Sequence, residues 1–460
     1  MAETGARFDG PYARAQAILG WMTLALVLVS VIPYGANLAI VWTALATAAT
    51  GLFMLQLVLH VLRPSAVALN RAVLPGLLWL GVLAWGWVQV ELPVPQALAH
   101  PAWAAAPEGA TPRIGADPDS GRHILMRLAS YAMIAWILVA SALESSRAWA
   151  YVRAVAIFSS ALAVYGLWAG LTGQNPILGL DGGRTAVSAT FVNRNSYATY
   201  AAFGMLANLA AYIHLAGWSR SRGGRMALRD FLESFFDGAW IHVLGTLLCA
   251  AAVVLSASRA GGVSAVLGLI ALLAVLGGGR RAGNLTLWLV LAAIGGFVVF
   301  VLGSDLLDRL IAPGGEQLRF VVYPAIVEQI LQRPWLGQGI GAFQDAFRPH
   351  LPEAAARFEW DMAHNSYLEN LFELGIPAGA VFYLVFVWIA ARLLVGLRVR
   401  GSDRALPALA LAVLVTGGVH AVFDFSLQMP ASAALFAAIL GIGWAQAFPR
   451  AGRAAQVPEG

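Results

Sequence analysis

The residues best suited to chemistry are a histidine and its polar neighbours, which stand directly before a long apolar segment. Residues 363–369 read Ala-His-Asn-Ser-Tyr-Leu-Glu. Ser366 and Glu369 have the spacing of a capping box, which predicts that a helix starts at Ser366. His364 then lies outside the first turn, at the membrane–water boundary, where an imidazole of near-neutral pKa suits general-base catalysis. The alternative is a surface histidine without a chemical role.

Three arginines are predicted to lie on the same side of the membrane as His364. Arg194 precedes one apolar segment, Arg259 lies in the short turn between two others, and Arg319 begins an amphipathic helix. An arginine near hydrocarbon is costly unless it pairs or faces a polar cavity, and its planar fork of donors matches phosphate oxygens. Several arginines in one cavity would bind a diphosphate. Taken singly, each arginine has an alternative interpretation: Arg259 only contacts lipid headgroups, Arg319 is solvated or paired with a carboxylate, and Arg194 caps or braces a helix end.

Other polar motifs are less specific. His420 and Asp424 lie one helical turn apart, so they either brace the cavity or only pair with each other. Asp117 and Asp119 form a D-x-D pattern, but an outer loop, where nucleotide sugars are not supplied, favours a plain loop. The glycines of 337–341 favour a turn, because no strand precedes them as a phosphate loop requires. Without cysteine pairs or a His-x-x-His motif, no metal site is expected.

Composition places most of the chain in a membrane. The chain is 59% hydrophobic and 12% charged, with a mean hydropathy of +0.72. A span needs about 20 apolar residues. The sequence predicts an all-α, polytopic fold with about 12 transmembrane helices, at 17–33, 36–58, 74–92, 124–143, 149–170, 197–216, 239–257, 260–277, 284–304, 374–396, 405–422 and 429–448.

The distribution of arginine predicts the orientation. With both termini in the cytoplasm, the short inner loops at 217–238 and 278–283 hold arginine clusters, as the positive-inside rule requires. This topology also explains the net charge of +5 without a nucleic-acid partner. The longest outer loop, 305–365, is expected to be mainly helical. Its apolar residues predict a helix lying on the membrane surface, ended by Pro334.

Taken together, these motifs resemble the O-antigen ligase/polymerase superfamily of bacterial polysaccharide assembly. The resemblance rests on Ser-Arg-Ala-Gly at 258–261, on Arg319 through Pro324, on the 333–339 segment and on 364–369. It covers roughly 180–430 of a chain that we treat as one integral membrane domain, 1–460, with 305–365 as its large periplasmic loop. The family often has Ser-Arg-Gly where this chain has Ser-Arg-Ala-Gly.

The resemblance implies a metal-independent, inverting glycosyltransferase without a cofactor, in the bacterial inner membrane. The donor would be a glycan on a polyprenyl diphosphate, and the acceptor lipid A–core or another lipid-linked glycan. Arg259 and Arg319 would hold the diphosphate, with His364 as the catalytic base. The remaining candidate substrate-binding residues are Arg194, Asn195, Asn365 and Asp424.

Two alternatives stay open. Ligases and polymerases share these motifs, so sequence hardly separates them, and it gives neither the sugars nor the oligomeric state. A multi-spanning transporter or flippase of lipid-linked sugars is the alternative from another class. Transporters tend to show related halves and polar residues at mid-membrane. This chain shows no obvious repeat, and its ionisable residues cluster at one face.

Overall fold

The expected all-α architecture is confirmed. The computed structural model describes residues 10–62, 66–181, 186–215, 238–277, 316–358, 360–400 and 404–449. In these ranges the only strands are a two-residue antiparallel pair, Gln174–Asn175 with Leu180–Asp181. The helices are α1 Pro11–Ser30, α2 Ala39–Leu62, α3 Ala66–Glu91, α4 Pro118–Ser141, α5 Ser145–Thr172, α6 Arg194–Leu215, α7 Trp240–Leu255, α8 Arg259–Gly277, α9 Glu316–Gln332, α10 Phe343–Phe347, α11 Ser366–Leu374, α12 Ile376–Val399, α13 Ala405–Phe423 and α14 Pro430–Ala445.

The protein is a multi-pass membrane protein. In the described part of the chain, eight helices are long and apolar enough to cross a bilayer, and α7 and α14 are shorter apolar helices of 16 residues each. Eleven of the predicted apolar segments coincide with helices. The segment predicted at 284–304 lies outside the described residues. Helix starts follow local chemistry: proline occupies the first turn of α1, α4 and α14, where a missing N–H costs nothing.

Helices α6, α13 and α14 form the buried centre of the bundle. Almost every side chain of α14 is buried, and small residues let its neighbours approach closely. A Cβ built on Gly441 would lie 2.6 Å from the backbone oxygen of Ala135 in α4. Peripheral helices instead expose apolar side chains, such as Ile40 in α2 at 78% and Val387 in α12 at 61%. Exposed apolar surface of this extent fits contact with lipid.

The segment between α9 and α11 has its own aromatic core. Phe343 and Phe347 stack on each other and contact Phe372 edge-on. Ile326 and Ile330 of α9 are buried in or against this core, whereas Val321, Val327 and Leu331 are exposed. The apolar residues of α9 therefore divide between two faces, which corrects the single membrane-facing surface predicted from sequence. One side of α9 packs on the aromatic core, and the apolar side chains on that side are buried there instead of facing the membrane.

The glycine-rich stretch 337–341 is a turn, as predicted. Gly337, Gly339 and Gly341 all have positive φ. The Gln338 N–H donates to the Phe372 carbonyl, and the Ala116 N–H donates to the Gln338 carbonyl. The turn thus fastens the segment before α4 to the end of α11.

The contact between α4 and α14 gives a stability prediction. Gly441→Val should lower the thermal unfolding midpoint in detergent, because the added atoms meet rigid backbone and overpacking costs about 1–3 kcal/mol. Gly51→Val in α2 is the matched control, since a Cβ at Gly51 meets nothing within 4 Å. Equal midpoints for the two variants would contradict this packing.

Candidate functional site

A cavity of about 160 Å³ lies where the starts of α6 and α8 meet the end of α13. Five of the seven predicted site residues line it: Arg194, Asn195, Arg259, Arg319 and Asp424. They come from four separate segments of the chain, so the fold brings them together. His364 and Asn365 do not line the cavity directly but lie beside it.

Two helices begin at the cavity wall. The Asn193 side chain caps α6 by accepting the Asn195 N–H at 2.7 Å. The Ser258 hydroxyl caps α8 by accepting the Gly261 N–H at 3.1 Å. Arg194 and Arg259 are the first residues of these helices. Helix N-termini carry partial positive charge and favour anions, and here the arginine side chains add to it.

The turn before α8 is tight. Ala257 adopts a left-handed conformation with φ of 52°, and a Cβ on Gly261 would lie 2.5 Å from the Ala198 Cβ of α6. A larger residue at 261 would push the first turns of the two helices apart. The glycine of the Ser-Arg-Ala-Gly motif therefore sets the distance between the two helix N-termini. Arg259, in the same motif, lines the cavity.

Arg319 reaches the cavity from α9. Its Nη1 donates to the carbonyl of Phe423, the last residue of α13, at 2.9 Å. Carbonyls at a helix C-terminus carry partial negative charge and suit a cationic donor. This hydrogen bond fixes the Arg319 guanidinium at the cavity wall. Because a backbone carbonyl carries no net charge, the bond does not neutralise the positive charge of Arg319.

Asp424 is the carboxylate at the centre of the site. It is 1% exposed; Oδ1 lies 3.3 Å from His364 Nδ1 and accepts the Phe425 N–H at 2.8 Å. The Asn195 amide donates to Oδ2. Burial opposes the charged form, but the hydrogen bond with His364 and nearby positive charge outweigh it and lower the pKa of Asp424. Asp424 therefore stays ionised at neutral pH.

His420 does not pair with the Asp424 side chain through its ring, which settles one alternative left open by the sequence. His420 is fully buried, and within the described residues neither ring nitrogen has a hydrogen-bond partner. Its link to Asp424 is through the backbone: the Asp424 N–H donates to the His420 carbonyl. Asp424 pairs with His364 instead.

His364 is held in a strained backbone conformation. Its φ is 53°, a region that non-glycine residues rarely occupy and that clusters at functional sites. Its carbonyl accepts the Tyr323 hydroxyl at 3.0 Å, and its ring lies between Trp360 and Phe425 in edge-on contacts. The side chain keeps 29% of its surface exposed, so the imidazole is fixed yet accessible.

The helix after His364 starts where predicted, but the capping residue is Asn365. The Asn365 side chain accepts the N–H groups of Tyr367 and Leu368, both at 3.1 Å, and Glu369 accepts the Ala363 N–H at 2.8 Å. The predicted Ser366–Glu369 capping box is therefore wrong. The Ser366 hydroxyl donates instead to the Asp424 carbonyl at 3.2 Å. Because the Asn365 side-chain oxygen is used for capping, substrate binding by Asn365 remains only a prediction.

Two buried carboxyl groups of α11 support this segment. Glu369 bonds the backbone just before His364, and Glu373, one turn later, accepts the Phe343 N–H at 3.1 Å. Burial is the main cause that raises the pKa of Glu369 from 4.5 to about 8, with repulsion from Glu373 adding to it. Burial likewise raises the pKa of Glu373 from 4.5 to about 7. The pair therefore retains protons in the folded state near neutral pH.

The remaining acidic motif is structural. Asp117 caps α4 by accepting the N–H groups of Asp119 and Ser120, and Asp119 pairs with Arg122. Within the described ranges, no three His, Cys, Asp or Glu side chains are grouped to hold a metal ion.

Sequence reasoning assigned no role to Tyr323 and only a helix cap to Ser366, whereas in the structure their hydroxyls hold His364 and Asp424 by the backbone carbonyls. Tyr323 lies four residues after Arg319, on the same face of α9, and that spacing could have indicated it. The Ser366 contact had no such signal, because its partner lies 58 residues away in the chain.

The fold and the site define a polytopic membrane protein with an arginine-rich cavity beside a histidine–aspartate pair at one end of its bundle. Residues 244–383 match the family model described as O-antigen ligase, and this match supports the resemblance to the O-antigen ligase/polymerase superfamily that the motifs indicated. The matched region includes Arg259, Arg319 and His364 and stops before Asp424. No curated protein matched the chain significantly.

Capping and substrate binding by Asn365 can be separated by mutation. Asn365→Ala should lower stability by about 1 kcal/mol, because two N–H groups lose their acceptor, whereas Asn365→Asp should retain the cap. Unfolding midpoints in detergent report the difference. If Asn365→Ala unfolds like the unsubstituted protein, the capping role is wrong.

The buried glutamates predict a pH-dependent stability. Because the folded state keeps protons that the unfolded chain releases above about pH 4.5, the free energy of unfolding should fall as pH rises from about 4.5 to about 8. Glu369→Gln keeps an oxygen for the Ala363 N–H and should flatten this dependence when midpoints are measured across that range. Glu328→Gln, an exposed control on α9, should not. An unchanged slope in Glu369→Gln would refute the assignment.

Proposed function

We propose that the protein transfers a glycan from a polyprenyl diphosphate to an acceptor hydroxyl at this cavity. The observation that carries the proposal is the composition of the cavity wall: Arg194, Arg259 and Arg319 surround one space with a single carboxylate, Asp424. Two helix N-termini add partial positive charge. This surplus of positive charge at the end of a membrane bundle suits a diphosphate on a lipid carrier.

The arginines would act on the leaving group. In the reaction, the bond between the anomeric carbon and the diphosphate oxygen breaks, and the diphosphate leaves with the electron pair. Negative charge grows on that oxygen, and fixed donors stabilise it where it develops. Arg319 is already fixed by the Phe423 carbonyl, so little reorganisation is needed as the charge appears. The arginines supply this stabilisation without a metal ion.

His364 would act as the general base. With Nδ1 directed to Asp424, the proton on that nitrogen is held by the carboxylate, and Nε2 is the nitrogen that accepts the proton of the acceptor hydroxyl. Asp424, kept ionised by its surroundings, stabilises the imidazolium that forms. The acceptor oxygen then bonds to the anomeric carbon in a single displacement, which inverts its configuration.

The proposed setting is the bacterial inner membrane, with both termini in the cytoplasm and the cavity at the periplasmic face. Helices α6 and α8 begin at the cavity, and in the sequence the arginine-rich segments 217–238 and 278–283 follow their other ends, which supports this orientation. The acceptor is lipid A–core for a ligase, or a second lipid-linked glycan for a polymerase, and the reaction at the cavity is the same for both.

Reconstitution tests the proposal. Purified protein in liposomes is given a lipid-diphosphate-linked repeat unit, with and without lipid A–core, and products are read on a gel. His364→Ala should lose about 10²–10⁴-fold in rate, the usual contribution of a positioned base. Arg259→Ala and Arg319→Ala should also lose transfer, and Asp424→Asn should lower the rate because His364 loses its charged partner.

Arg357→Ala is the matched control, because Arg357 is exposed in the same outer segment and is not among the residues that line the cavity. Its rate should equal that of the unsubstituted protein. A product ladder without lipid A–core indicates a polymerase, and a single core-dependent product indicates a ligase. Full activity in His364→Ala would overturn the base assignment, and movement of the glycolipid across the bilayer without transfer would favour a transporter.

A further inference from the structure

A second arginine cluster lies at the end of the bundle opposite the cavity. Arg71 near the start of α3 and Arg392 in α12 both lie over the ring of Phe448, with their guanidinium carbons 4.5 Å and 3.9 Å from its centroid. Arg400 donates from Nε to the Phe448 carbonyl at 2.7 Å. We call Arg71, Arg392, Arg400 and Phe448 the Phe448 cluster. It shares no residue with the proposed transfer site.

Arg71 and Arg392 bring two positive charges to the same ring. In the part of the chain that the structure describes, neither Arg71 nor Arg392 makes an ion pair with a carboxylate; Arg71 donates from Nη1 to the Ala445 carbonyl at 3.1 Å. The Nε of Arg392 is buried and has no hydrogen-bond partner there. Cations gathered around one ring repel each other, and an anion between them would relieve this repulsion.

The position of the cluster selects the kind of anion. Arg392 lies seven residues before the end of α12 at Val399, which is about 10 Å along the helix axis. One and two turns deeper along the same side of α12, Trp388 and Leu384 are 44% and 47% exposed. A ligand here would meet guanidinium groups and hydrocarbon-facing side chains at once. That combination matches a phospholipid, whose phosphate and acyl chains occupy these two environments.

We propose that the Phe448 cluster binds the phosphate of an anionic phospholipid. Arg392 and Arg71 would donate to its oxygens in the forked geometry that guanidinium groups favour, while the acyl chains lie along Trp388 and Leu384. The lipid would also tie α3 and α12 to the segment after α14, because Arg71 and Phe448 already join these elements. This inference does not depend on the proposed glycan transfer.

Native mass spectrometry of the delipidated full-length protein tests this. Phosphatidylglycerol and phosphatidylcholine are titrated separately, and bound lipids are counted. The unsubstituted protein should retain phosphatidylglycerol preferentially, and Arg392→Gln should weaken that binding about 5- to 10-fold, as the loss of one interfacial arginine predicts. Within the described residues, Arg392→Gln loses the ring contact to Phe448 but no hydrogen bond or ion pair, so this variant should fold. Adding Arg71→Gln should weaken binding further.

Arg398→Gln is the matched control, since Arg398 is exposed in the last turn of the same helix. It should bind phosphatidylglycerol as the unsubstituted protein does. A third arm measures the unfolding midpoint with inorganic phosphate, which should stabilise the protein much less than phosphatidylglycerol. Equal weakening by Arg392→Gln and Arg398→Gln would overturn the site. Equal stabilisation by inorganic phosphate would overturn its assignment to a lipid.

Discussion

The site depends on one buried charge, the carboxylate of Asp424. A buried carboxylate is tolerated only when hydrogen bonds and opposite charge replace the water it loses. Here the replacements come from separate parts of the chain: Asn195 at the start of α6 and His364 before α11. Satisfying Asp424 therefore requires these segments to meet, and their meeting places the histidine beside the arginine-lined cavity.

The arginines obey a different constraint. In the proposed orientation, the positive-inside rule explains arginines at the other end of the bundle but opposes Arg194, Arg259 and Arg319 at this one. Arg319 has a favourable local contact, because it bonds a helix C-terminal carbonyl. Arg194 and Arg259 instead begin helices, where the partial positive charge of the helix N-terminus does not favour a cation. Their cost in a membrane protein is consistent with a functional role at the cavity.

What sequence predicts here follows from local rules. The length of the apolar segments predicts the membrane helices. The turn at 256–258 is so short that Arg259 must lie at an end of the bundle, and this position could be predicted too. The pairing of His364 with Asp424 spans 60 residues and has no local signal. The cap at Asn365 was missed because Ser366 is also a good N-cap, and only the backbone geometry chooses between them. The two faces of α9 were missed because periodicity shows which residues are apolar but not what covers them.

Arginine clusters at both ends of the bundle show why charge alone does not define a reaction site. The Phe448 cluster consists of three arginines around an aromatic ring, so it can hold an anion, but none of its four defining residues can accept a proton. The cavity end adds Asp424 and a histidine fixed by Tyr323 and two aromatic rings. Anion binding needs only the arginines. Transfer to a hydroxyl also needs the base, and only the cavity end brings the two together in the described part of the chain.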